Sequence, residues 1–333
     1  MRKIMEFLKT RKFFVILIVV AFILPSLISA TTYIAKGGLK ITSEEYYEGE
    51  NFDYDPDTLK ITEIKKLFKV AGLSTVDNYQ GGAFYHNYYF LCANNLESIL
   101  IYDMSKYRFI AIIDTDEYTN TSYHCNSIAF GRDFYDKNDK FPLLYISMEN
   151  ADIHATLVFR ITRIARNFSL EKIQKIIFEK SDVNNLFLPN SYIDQQNGYL
   201  YYAAYTDVTS PHYQKSLDNT IKFFKYEIPD FKISEVQLKS EEALETFEVD
   251  SETATQGACI VNGYLYQTFA FTDEPIIRIV NLKSHQIVYE DKLGPYGYYD
   301  EYENIAFYNN RFFAFGIKRL SMYEFYYSAD LIN

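Results

Sequence analysis

Five polar residues recur at one position of a repeated pattern, and one of them is an acid that could move protons. They are Gln80, Asn126, Ser191, Gln256 and Glu303. Each opens an apolar run, and in four of them a Gly/Asn-type turn follows six positions later. His124 stands two residues before Asn126, on the same face of a strand, and joins the set. Glu303 is the single carboxylate, which makes it the candidate general acid or base. Together these six form the candidate ligand-binding set: convergent amides, a hydroxyl, an imidazole and a carboxyl suit a polar ligand. The plainer reading is that they hydrogen-bond one another and ordered water, because buried polar atoms must be satisfied.

Other chemistry finds little support in the residues. Asp53, Asp55 and Asp57 alternate as in a calcium loop, but no glycine follows at the sixth position and no glutamate at the twelfth. The five histidines (His86, His124, His154, His212, His285) show no pair at zinc spacing. We therefore expect no metal and no cofactor. There is no Gly-x-Ser-x-Gly elbow, no phosphate-cradling glycine loop and no cysteine in an electropositive setting. Cys92, Cys125 and Cys259 are odd in number, so not all can pair within the chain, and the sequence is not a disulfide scaffold. Two sequons, at Asn120 and Asn167, matter only in a glycosylating host. The insertions Gly131–Lys140 and Tyr205–Ser216 are the expected loop-borne binding surfaces.

The elements that must position the set are strands. Gln256 to Tyr266 reads as strand, Asn262-Gly263 turn and returning strand, the strongest short hairpin signal. The same unit starts at Gln80, Ser191 and Glu303, and a fifth copy at Asn126 has an expanded turn from Gly131 to Lys140. Further β-like runs follow the hairpins, such as Ile99–Asp103 and Phe109–Ile113. Four strands per unit is the signature of a propeller blade. The abundant Tyr (32) and Phe (27) fit an all-β chain. The last unit lacks a fourth strand, while Lys60–Val70 has no blade of its own. The N-terminal strand is therefore expected to complete the C-terminal blade and close the ring. The expectation is five blades, or six if residues 31–60 hold further strands.

Before the propeller (59–333), residues 1–30 read as a targeting segment. A basic head (Arg2, Lys3, Lys9, Arg11, Lys12) precedes the apolar run Phe13–Leu24. It is a removed signal peptide or an uncleaved anchor, in which case residues 13–30 are the only membrane contact. Residues 31–58 form an acidic linker. Beyond residue 30 there are 28 basic and 43 acidic residues, a net charge of −15. Such a chain repels phosphate backbones, so nucleic acid is excluded as a partner. The expected location is periplasmic, cell-surface or extracellular, and the expected state a monomer.

Gln80-Gly81, His124-x-Asn126-Ser127, Phe141-Pro142-Leu143-Leu144-Tyr145 and Gln256-Gly257 resemble the uncharacterised secreted bacterial propeller proteins, a family that implies no activity. Thr255-Gln256-Gly257 and Glu303-x-Ile305 also look like glutamine cyclotransferase, a five-bladed propeller that closes N-terminal glutamine to pyroglutamate. Here Ala254, Tyr302 and Asn304 depart from that family's Phe and two Gly. That resemblance implies Glu303 as catalytic acid. Two functions are thus in play: binding of a small molecule, glycan or peptide without chemistry, or an enzyme at the channel mouth centred on Glu303.

Overall fold

The computed structural model describes residues 55–70, 79–118, 124–149, 154–164, 167–179, 187–206, 219–251, 255–269, 274–297 and 299–329. The targeting segment, Asp53, the Asn120 sequon and residues 207–216 of the second insertion lie outside them.

A bulge between Ile61 and Glu63 sets the buried face of the first strand, because it puts two residues three apart on one side. In β1 (Lys60–Lys69), Ile61 and Ile64 are buried while the neighbouring lysines stay exposed. Five sheets then form in chain order. Blade 1 holds β2 (Tyr79–Tyr85), β3 (Tyr88–Ala93), β4 (Ser98–Asp103) and β5 (Arg108–Asp114). Blade 2 holds β6 (His124–Phe130), β7 (Leu144–Glu149), β8 (His154–Ile164) and β9 (Asn167–Phe178). Blade 3 holds β10 (Phe187–Asp194), β11 (Tyr199–Thr206), β12 (Asn219–Glu227) and β14 (Glu245–Ser251). Its short β13 (Glu235–Leu238) instead pairs in parallel with β9, as a fifth strand of blade 2. Blade 4 holds β15 (Thr255–Val261), β16 (Tyr264–Phe269), β17 (Ile276–Asn281) and β18 (Gln286–Lys292). Blade 5 holds β19 (Ala306–Tyr308), β20 (Arg311–Gly316) and β21 (Ser321–Ser328).

Blade 5 is completed from the other end of the chain. β1 runs antiparallel to β21, from Lys60 opposite Ser328 to Lys69 opposite Ser321. The innermost strands β2, β6, β10, β15 and β19 touch one another in cyclic order. The protein is a closed five-bladed β-propeller.

The core follows the same plan, with one cluster at each blade junction. The phenylalanines and tyrosines fill these wedges. Phe84 stacks on Tyr308 at 5.0 Å between blades 1 and 5, and Phe178 on Tyr202 at 4.8 Å between blades 2 and 3. Offset aromatic pairs add about 0.5–1.5 kcal/mol beyond the area they bury. The predicted Asn-Gly reversal has φ of 53° at Asn262 and 78° at Gly263, the paired positive values of a type I′ turn.

Candidate functional site

The inner strands all run from one end of the channel to the other, so register decides which side chains share a level. Gln80 lies five residues before Tyr85, the last paired residue ahead of the turn. Gln256 stands five before Val261, and Glu303 five before Tyr308. These three are equivalent, and they come from adjacent blades 4, 5 and 1. In blade 2 the equivalent residue is Cys125, with Asn126 one step further along. In blade 3 Asp194 pairs with Tyr199 across a four-residue turn, so Ser191 sits only three residues before the turn. The repeat therefore supplies an arc of three, not a full ring of five.

Four of the inner strands carry a register break at this level: between Tyr79 and Gly82, His124 and Ser127, Phe187 and Asn190, and Thr255 and Ala258. Bulges bend a strand and re-aim its side chains. In the fifth blade Glu303 precedes β19, between that strand and an isolated bridge joining Tyr302 to Gly316. The glycines of the Gln-Gly pairs let the strands approach. A Cβ on Gly257 would fall 2.4 Å from Asn304 Cα, and one on Gly81 2.9 Å from the Ile128 nitrogen. Their role is close packing of neighbouring inner strands.

Around the arc three acids have three different fates. Asp300 is locked: its carboxylate accepts from the Tyr323 hydroxyl at 2.7 Å and from the Glu301 and Lys318 backbone N–H groups, each at 2.9 Å. Glu301 accepts from Gln256 Nε2 at 3.1 Å and lies 3.6 Å from Lys318 Nζ. Glu303 is 2% exposed, and its Oε2 has no hydrogen-bond partner among the described residues. Burial, with Glu301 and Asp300 nearby, holds its carboxyl well above the ordinary glutamate value, opposed only in part by Lys318. A carboxyl that holds its proton above the ordinary glutamate range can donate that proton or a hydrogen bond. Next to it, the Asn304 amide donates to the Gln80 carbonyl at 2.7 Å and accepts from the Tyr89 hydroxyl at 2.8 Å. That bridge ties blade 5 to blade 1.

On the inner strand of blade 1, Gln80 Oε1 also has no hydrogen-bond partner among the described residues, while Asn190 Oδ1 and the Gln267 amide are buried around the Tyr192 hydroxyl. The Tyr192 hydroxyl is set among Thr255, Gln267 and Asn190, and burial pushes it up to about 12. Ser191, by contrast, is fully engaged. Its hydroxyl accepts from Thr156 at 2.8 Å and its N–H donates to the Ser147 hydroxyl at 3.1 Å, so it joins blade 3 to blade 2. His124 is half-buried opposite Glu149 in the β6–β7 ladder. Asn126 lies on β6, inside the register break between His124 and Ser127.

A small cavity in the channel begins just beyond the arc. It measures about 80 Å³ and is lined by residues such as Phe84, Ile128, Tyr192, Cys259 and Phe307. None of the six candidate residues lines it. Water takes about 30 Å³ per molecule in the liquid, while small-molecule sites run to about 300–1,000 Å³. The cavity has room for a few waters only. The Gly131–Lys140 insertion follows β6 and lies at the turn end of the ring, where Arg160 clamps Asp139 at 2.7 Å. The β11–β12 connection, which carries the other insertion, leaves from the opposite end, that of the polar arc.

Asp300, Glu301, Asn304 and Lys318 also surround the arc, although they stand outside the repeated pattern. The run Asp300-Glu301-x-Glu303, the densest group of acids next to any inner strand start, was the available signal. Among the described residues no group of three or more His, Cys, Asp or Glu is placed to hold a metal ion.

No protein-family model matches the chain, and no curated protein does. Solved structures of similar fold include the Myxococcus xanthus glutaminyl cyclase, at 11% identity and a TM-score of 0.44, covering 83% of this chain and 97% of that one. A Bacteroides caccae protein of unknown function aligns at 9% identity and a TM-score of 0.38, over 73% of this chain and 72% of that one. At these values the likeness concerns the fold alone.

Proposed function

We propose that this chain is an exported binding protein that takes a polar small molecule, glycan or peptide at the end of the channel framed by Gln256, Glu303 and Gln80. The observation that carries this reading is a pair of buried polar atoms at that end, Glu303 Oε2 and Gln80 Oε1, that have no hydrogen-bond partner among the described residues. Each such atom costs about 1–3 kcal/mol when left unsatisfied. A ligand with donors and acceptors in the matching places recovers that loss on binding. The basic head and apolar run of residues 1–30 support export, and the net charge of −15 beyond them argues against nucleic acid as the ligand.

The state of Glu303 favours a second reading. A carboxyl that burial makes hold its proton above the ordinary glutamate range is suited to general-acid work, in which it protonates a leaving group. On an N-terminal glutaminyl peptide, the α-amine attacks the side-chain amide carbonyl, the bond to the amide nitrogen breaks, and Glu303 protonates that nitrogen to ammonia and takes back the proton shed by the attacking amine.

One experiment separates the two. The protein and its Glu303→Gln variant are titrated with a broad glycan and peptide library by thermal shift, and assayed for ammonia release from glutaminyl peptides. The binding reading expects a saturable ligand, weakened in the variant, with no turnover. A library without a saturable ligand overturns it. Turnover reduced at least about 100-fold in the variant establishes the enzyme, and unchanged or absent wild-type turnover rejects it.

A further inference from the structure

The fold sorts the three cysteines into a pair and a single. Cys92 lies on β3 of blade 1 and Cys125 on β6 of blade 2, while Cys259 is in blade 4. The first two have no exposed surface and sit in the same apolar cluster, with Phe90, Ile99 and Met148. The backbone brings them together, since the Cys125 N–H donates to the Asn94 carbonyl at 2.6 Å, two residues from Cys92. Their sulfurs stand 2.7 Å apart. A disulfide needs about 2.05 Å between sulfurs, so the approach required is small. An odd cysteine count hid this pair, because sequence spacing says nothing about which strands of neighbouring blades face each other.

We propose that Cys92 and Cys125 form a disulfide joining blade 1 to blade 2, with Cys259 left as a thiol. The oxidant is itself a disulfide, of the glutathione or exchange-catalyst class. One cysteine thiolate attacks an oxidant sulfur and expels the first oxidant thiolate, giving a mixed disulfide. The second cysteine thiolate attacks the protein-side sulfur and expels the other oxidant thiolate. Two electrons and two protons leave the cysteine pair, and the oxidant ends as two thiols. Burial raises the Cys92 thiol well above its ordinary value, so in the sealed fold that residue is a poor nucleophile and the bond closes as the two blades dock. Export enters only as the natural source of oxidant; the pairing itself rests on the fold.

The test uses the full-length chain, reduced and unfolded, then refolded in a mixture of reduced and oxidised glutathione and quenched with acid. The fraction eluting as folded monomer is denatured, alkylated with N-ethylmaleimide and weighed by mass spectrometry. One adduct, on Cys259, with a linked Cys92–Cys125 peptide pair, is the expected result. Three adducts in the folded fraction overturn the proposal, as does any link that includes Cys259. A Cys259→Ser chain is expected to carry none, and two adducts there count equally against it. Fractionation of cells that express the chain with its own first thirty residues reads export separately: chain kept in the cytoplasm, with one adduct after glutathione refolding, refutes export and leaves the disulfide standing.

Discussion

Glu303 differs from its neighbours in what surrounds it, not in its chemistry. Asp300 has three donors on its carboxylate, whereas Glu303 Oε2 has none among the described residues. The consequence is a pH dependence of definite sign. A carboxyl whose folded value is raised holds its proton in the native state over a range in which the unfolded chain has released it. Its stabilising contribution is complete below the ordinary glutamate value and is lost as pH rises through the raised one. Glu303→Gln keeps the size and removes the titration. In urea titrations the two proteins are expected to have equal stability near about pH 4. The variant gains on the wild type as pH rises, by up to about 1.4 kcal/mol per pH unit within that window. Parallel curves at all pH values would show that Glu303 is not held protonated.

At the scale of elements, the closing strand bears most directly on the site. β1 brings Ile61 and Ile64 into the core between blades 4 and 5, opposite Tyr327 and Phe325. It also holds β21, and through it β20, whose Phe315 carbonyl accepts from the Glu303 N–H at 3.0 Å. Ile64→Ala is expected to cost about 2–5 kcal/mol, the range for truncating a buried isoleucine. Lys65→Ala, on the exposed face of the same strand, is expected to change stability by less than about 0.5 kcal/mol. Denaturant titration of both variants checks this. Equal, small losses would mean that β1 does not close the ring.

For the whole molecule, each blade buries both faces only against its two neighbours, and the five clusters form a cycle without an end. Loss of one blade exposes two others, unlike an open solenoid, where ends fray one repeat at a time. Unfolding is therefore expected as a single transition, with tyrosine fluorescence and far-ultraviolet circular dichroism coincident. Separated midpoints would show independent blades. The disulfide inferred between Cys92 and Cys125 closes a loop of 34 residues, for which the chain-entropy account gives about 4 kcal/mol of stabilisation. Adding a reductant during unfolding is accordingly expected to lower the midpoint without splitting the transition.

Much of this architecture was legible in the residue order. Asn262-Gly263 and its counterparts announced hairpins because backbone handedness restricts which residues take positive φ. Lys60–Val70 read as a strand without a blade, and ring closure followed from its being needed elsewhere. These are short-range rules, acting over a few neighbouring positions. The site obeys longer ones. A four-residue turn at Gln195–Gly198 moves Ser191 off the level of Gln80, and bulges at the strand starts shift Asn126 relative to Cys125. Asn304 meets Gln80 across 224 positions of sequence, and Cys92 meets Cys125 only because blade 1 is seated on blade 2. Which polar atoms end up locked, paired or alone depends on the register summed around a closed circle, and that sum exists only once the circle has formed.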